Sequence, residues 1–342
     1  MDFRRVLTVL IAVSALLAAG IPAAASAHKP PKPPVAHELA SFAAPTCMSG
    51  CGSGSAIGPD RALYVTDGPG GRVLRVDPKT GAVRTFASGL PPAIPEVGIG
   101  GAMDVVFAGH TAYVLVTLVG QEFGQDDVKA GIYRIDRDGR TTAIADIGQW
   151  SMDNPPATDF FVASGVQYAM EEFFGGFLVT DGHHNRVLHV TRRGHIRQLM
   201  AFGNIVPTGL EVHGWAIYMG QAGPIPHLPQ DGKVVRFTPW SAATQVAAGA
   251  SLIVDVEFGP QRRLYALSQG IWDLPQIPEN EGAPASANTG RLVRVERDGS
   301  FKSVVAGLDR PTSLEFIGKT AFVITLTGKV IRIDDVGRSH FG

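Results

Sequence analysis

Six carboxylates recur at matched places in this chain of 342 residues. Glu171, Glu211, Glu257 and Glu315 occupy equivalent positions of short β-rich runs, and Asp104 and Asp255 stand two residues earlier in runs of the same kind. Apolar or small residues would be the simpler choice there. A buried carboxylate is costly unless it is paired, hydrogen-bonded or bound to a cation. Several in one place therefore imply one of two things. Either they line a polar, metal-holding lumen, or each accepts hydrogen bonds from backbone amides or an arginine of the next repeat. The first alternative makes Asp104, Glu171, Glu211, Asp255 and Glu257 candidate oxygen ligands for a divalent cation, Ca2+ or a similar hard ion.

Histidines and an indole supply the other candidates. Asp181-Gly182-His183-His184-Asn185-Arg186 places two adjacent imidazoles on a short loop, and Pro224-Ile225-Pro226-His227-Leu228-Pro229 fixes a third among prolines. Imidazole titrates near neutral pH and can move a proton or ligate a metal, which makes His183, His184 and His227 candidate catalytic groups. The alternative is that they are polar turn residues. Trp272-Asp273 sets an indole beside a carboxylate, able either to stack on a sugar or aromatic ligand or to pin its own loop. Gln221, Asp126 and Asp127 lie in two further long loops and join Trp272, Asp273, His183 and His227 as candidate ligand contacts. No G-x-S-x-G elbow, isolated cysteine or phosphate-cradling glycine loop occurs, which argues against serine-type acyl transfer and nucleotide chemistry.

What must position these residues is a repeat. A short run with a large second residue occurs six times: Leu63-Tyr64-Val65, Ala112-Tyr113-Val114, Phe177-Leu178-Val179, Ile217-Tyr218-Met219, Leu264-Tyr265-Ala266 and Ala321-Phe322-Val323. Each is followed by a run of the type Arg72-Val73-Leu74-Arg75-Val76, again six times, with Arg or His at its centre in every case. A further strand precedes each pair and another follows through a tight turn such as Asp138-Gly139 or Asp298-Gly299. The units recur every 40 to 65 residues, which brackets the roughly 40 to 50 residues of a propeller blade. The expected fold is all-β, a six-bladed propeller over residues 37–342 with four antiparallel strands per blade. The sixth unit lacks a fourth strand, and residues 37–43 can supply it and close the ring.

With the repeats in view, the chain resembles the ScyD/ScyE family of exported propeller proteins and, more loosely, NHL and gluconolactonase-like six-bladed propellers. Ile57-Gly58-Pro59-Asp60 running into Leu63-Tyr64-Val65, Leu178-Val179-Thr180-Asp181-Gly182, and Pro207-Thr208-Gly209-Leu210 followed by Met219-Gly220-Gln221 carry that resemblance. It implies the fold and an extracytoplasmic setting and no particular reaction. Gluconolactonase-like propellers hold a divalent metal at the channel mouth, but their ligand set does not map onto this sequence residue by residue.

The N-terminus points to the same compartment. Arg4 and Arg5 precede an uncharged run from Val6 to Gly20, and Ala25-Ser26-Ala27 offers a signal-peptidase site. Residues 1–27 therefore read as a signal peptide and residues 28–36 as a Lys/Pro linker. Removing Arg4, Arg5 and Asp2 leaves 28 basic and 30 acidic residues, a near-neutral chain that does not suggest nucleic acid or a membrane surface. Cys47 and Cys51, the two cysteines, are expected to form a local disulfide on the oxidising side of a membrane. The sequence thus describes a secreted monomer that binds a small molecule, glycan or protein partner on its long-loop face. The alternative is a metal-dependent enzyme of lactonase or lyase type, using the inner carboxylates and a loop histidine.

Overall fold

Runs rich in Val, Leu, Ile and Tyr between glycine-bearing turns form strands whose two faces both need cover. The second strand of each unit shows this most fully: Leu63–Asp67 and Gly176–Asp181 are buried at every position. The fourth strands, such as Val83–Ser88, are mostly exposed and mark the rim. The computed structural model describes residues 34–42, 53–277, 280 and 282–337, and there the chain forms six four-stranded antiparallel sheets. Six apolar clusters fill the spaces between neighbouring sheets. Tyr64, Val105 and Val114 lie between blades one and two, and Leu63, Phe322 and Ile324 between blades six and one. The protein is a six-bladed β-propeller.

Strand register places the two sequence signatures opposite one another. The large residue of the second strand pairs with the central Arg or His of the third in all six blades: Tyr64 with Arg75, Tyr113 with Arg134, Leu178 with His189, Tyr218 with Arg236, Tyr265 with Arg294 and Phe322 with Arg332. Four of these arginines reach acids in turns on one face: Asp60, Asp136, Glu296 and Asp334.

The innermost strands are Ser55–Ile57, Gly101–Ala108, Gln167–Phe173, Pro207–His213, Ile253–Phe258 and Pro311–Ile317. Each runs from the face bearing the long loops to the face bearing the short turns. In the sixth sheet the outermost strand is Ala36–Ser41, antiparallel to Lys329–Ile333, with Lys329 Nζ 2.9 Å from Glu38 Oε2.

The expected fold is all-β, yet the connection from blade two to blade three contains a short helix, Ile147–Asp153. Its signal is an Asp146-x-x-Gln149 cap: the Gln149 amide donates to Asp146 Oδ1 at 3.0 Å. At seven residues it is too short to show an amphipathic period. Residues 1–27 and both Cys47 and Cys51 lie outside the described residues, as does most of the Lys/Pro segment.

Deleting residues 34–42 would uncover Lys329–Ile333 as an open sheet edge and remove cover from Val330. The melting temperature should fall by roughly 10 °C or more. Calorimetry of the truncated chain checks this.

Candidate functional site

The inner strands set two layers of side chains around the axis. Aligned on their strand pairs, Gly54, Asp104, Ala169, Gly209, Asp255 and Ser313 form the layer nearer the long loops. Asp104 accepts from the Val105 amide at 2.8 Å and, across the blade interface, from the Met170 amide at 2.8 Å. Asp255 does the same one half-turn of the ring away, accepting from Val256 at 2.9 Å and from Leu314 at 2.7 Å. Glycine in the preceding blade gives each aspartate room: a Cβ on Gly54 would sit 2.1 Å from Asp104 Oδ1, and one on Gly209 would sit 2.5 Å from Asp255 Oδ1. The pattern Gly, Asp, small residue thus occurs twice around the ring, and each aspartate clamps two blades together.

Two residues further along lie Ala56, Val106, Glu171, Glu211, Glu257 and Glu315. The four glutamates have no such amide partners. With Asp104 and Asp255 they line one cavity of about 240 Å3, whose wall, among the described residues, contains no lysine, arginine or histidine. Ile57, Phe107 and Glu172 also line it. All three lie towards the turn ends of their strands, so the cavity is on the turn side of the aspartate layer, away from the long loops.

Burial is the main cause of the electrostatics here. It raises Glu171, Glu257 and Glu315 well above the usual carboxylate range, and the neighbouring acids add to the effect. Glu211 is raised by burial too, and Glu257 on the neighbouring blade is among the acids that it faces. In the aspartate layer burial outweighs the amide bonds, raising Asp104 well above its ordinary value and Asp255 to about 7. This cluster can accept hydrogen bonds from a ligand's O–H or N–H groups and can release a proton near neutral pH. Among the described residues no three His, Cys, Asp or Glu side chains converge to hold a metal ion, and both oxygens of Asp104 and of Asp255 accept from amides.

The long-loop candidates are placed differently. His184 is buried with Asp181 and Arg186. Its Nε2 donates to the Val162 carbonyl at 3.0 Å, and its Nδ1 lies 2.8 Å from Arg186 Nη2 and 3.0 Å from Asp181 Oδ2. Arg186 also donates to Asp181 at 2.9 Å, to the Asn154 carbonyl at 2.7 Å and to Ser151 Oγ at 3.0 Å, with Trp150 beneath it. This fully buried network ties the helix-bearing connection to blade three. His183 beside it is half-buried against Phe161, its Nδ1 has no partner, and burial lowers it to about 4.

His227 donates from Nδ1 to the Gly223 carbonyl at 2.7 Å and meets Trp272 edge-on at 5.8 Å. Burial lowers its pKa. Trp272 is only 6% exposed, and its indole N–H donates to the Ala283 carbonyl at 3.1 Å. The structure thus brings His227 and Trp272 together as the clasp between the loops of blades four and five. Gln221 is buried at a strand end, whereas Asp126, Asp127 and Asp273 are exposed. None of these loop residues lines the axial cavity.

No protein-family model matches the chain, and neither does any curated protein. Solved structures do. A virginiamycin B lyase from Staphylococcus aureus is 13% identical, with a TM-score of 0.52 over 88% of this chain and 99% of that one. A gluconolactonase from Xanthomonas campestris is 12% identical, with a TM-score of 0.57 over 89% and 95%. A structure of a nidogen/laminin complex is 13% identical, with a TM-score of 0.52 over 77% and 84%. These likenesses establish the six-bladed fold. A lyase, a lactonase and a protein complex among them show that the ring itself does not choose a function.

Two outcomes test this description. Carboxyls held above their unfolded values stabilise the fold fully at low pH and lose that contribution as pH rises through the folded value, for Asp255 between about pH 4 and 7. Thermal stability should therefore decline from pH 5 to 8, and Glu257→Gln should flatten the decline, measured by calorimetry across that range. Arg186→Ala, which strands the buried Asp181, should cost about 3–5 kcal/mol in denaturant unfolding.

Proposed function

We propose that this protein is an exported six-bladed propeller of ScyD/ScyE type that binds a small molecule or the end of a glycan in its axial cavity. One observation carries the reading: four glutamates face a single cavity whose wall has no basic residue. Carboxyl oxygens gathered on one cavity without a basic partner can accept hydrogen bonds from the O–H and N–H groups of a ligand. The apolar clasp of the blade-four and blade-five loops and the buried network of blade three argue for moving the ligand from the long-loop face to the axis. The signal-like N-terminus and the near-neutral charge support an extracytoplasmic small molecule or glycan. Among the described residues no helix is long and apolar enough to cross a membrane.

A second reading, an enzyme of lactonase or lyase type, is favoured by the crowding of Glu211 and Glu257, both raised by burial, so that one carboxyl can serve as a general acid. The activities printed for the lyase and gluconolactonase neighbours belong to those proteins and support this reading only through the common fold.

Thermal-shift titration with glucose, glucosamine, N-acetylglucosamine, xylose and glucono-lactone separates the two. Binding without turnover should raise the melting temperature of the natural chain and not that of the Glu211→Gln/Glu257→Gln variant. Equal shifts in both would place the ligand elsewhere. Consumption of the lactone, lost in the variant, would favour the enzyme.

A further inference from the structure

Three aromatic side chains stand exposed together on the turn face: Phe174 at 54%, Trp215 at 47% and Trp240 at 75% of full exposure. Phe174 and Trp215 lie in the turns that end the inner strands of blades three and four, and Trp240 lies in the outer turn of blade four. Phe174 stacks on Trp215 with ring centres 3.6 Å apart at 16°, and Trp240 meets Trp215 at 4.8 Å. Buried Phe173 backs the group at 5.8 Å from Trp215. Phe174 has φ +33, a left-handed backbone unusual for a bulky side chain, which holds its ring outward. An apolar cluster this exposed opposes the hydrophobic effect and has no part in the core.

Its position connects it to the cavity. Phe174 follows Glu171 by three residues and Trp215 follows Glu211 by four, so the array stands roughly 10–13 Å along the strands from the glutamate layer, at about 3.3 Å per residue. The cavity extends towards this same face. Polar groups border the aromatics: Arg192 pairs with Glu172, and Arg262 Nη2 lies 2.6 Å from His213 Nε2.

Three half-exposed rings offer on the order of 350 Å2 of apolar surface, well short of the roughly 800 Å2 per partner of a standard protein interface. An anionic bilayer would meet Glu172 near the rings and the acids of the axial cavity behind them. Sugar rings match both halves of the arrangement. Their C–H faces pack on indole and phenyl faces, and their hydroxyls donate to carboxylates.

We propose that Phe174, Trp215 and Trp240 form a platform for the pyranose rings of a neutral or amino-substituted glycan, whose end enters the axial cavity from the turn face. The platform stands on its own observations. Only the location of the chain end rests on the axial-cavity reading above.

The probes are soluble cellohexaose, xylohexaose and chitohexaose, titrated into the full chain while tryptophan emission is followed. Trp150 and Trp272 are partly or wholly buried, so the exposed pair reports. At least one probe should give a saturable change, and Trp240→Ala should weaken its binding roughly tenfold. Trp240→Phe should recover most of that loss, and the melting temperature should stay unchanged because the side chain is mostly exposed. The proposal is overturned if no probe binds or if Trp240→Ala binds as well as the natural chain. It is equally overturned if Trp240 governs dimer formation in sedimentation, or co-sedimentation with phosphatidylglycerol vesicles, in place of sugar binding. Loss of binding in Trp240→Ala with none in Glu211→Gln supports the platform and removes the cavity from the glycan's path.

Discussion

The inner ring depends on carboxylates that reach from one blade to the backbone of the next. Sheets packed radially around an axis bring their first strands close together, and the end of each such strand must satisfy amides that no neighbouring strand can reach. Asp104 and Asp255 supply the acceptor, and Gly54 and Gly209 remove the side chain that would block it. The two devices sit on opposite sides of the ring, joining blades two to three and five to six. Apolar clusters in all six interfaces then provide the bulk of the cohesion.

Once those aspartates are committed to the backbone, the glutamates one layer on acquire a different character. They share the axis, but the geometry brings them no amide and no arginine. Four acids in a narrow polar space cannot all be ionised at low cost, and burial with mutual repulsion raises Glu171, Glu257 and Glu315 well above the usual carboxylate range. On the long-loop face Arg186 is held by Asp181, Ser151, Asn154 and His184, and Trp272 by Ala283 and His227.

Much of the architecture was legible in the order of residues. Six copies of each signature, phased so that Tyr or its equivalent faces Arg or His, gave the blade count and the strand pairing because both depend on short-range patterning with a period of two. The matched spacing of the four glutamates gave their common layer for the same reason. The seven-residue helix was hidden, since its one clue is a two-residue cap.

Sequence by itself therefore determined the repeat, the number of blades and the ring of acids, all of which follow from local alternation. Tertiary structure alone decided which acids are tied down and which are free, because the decisive partner is an amide 59 or 66 residues away. It decided which partners His184, His227 and Trp272 meet, since the Val162, Gly223 and Ala283 carbonyls that they donate to are fixed only when the loops pack. It also gathered Phe174, Trp215 and Trp240 from three separate turns into one exposed group. No pattern within a single repeat encodes that contact, which exists only where blades three and four meet.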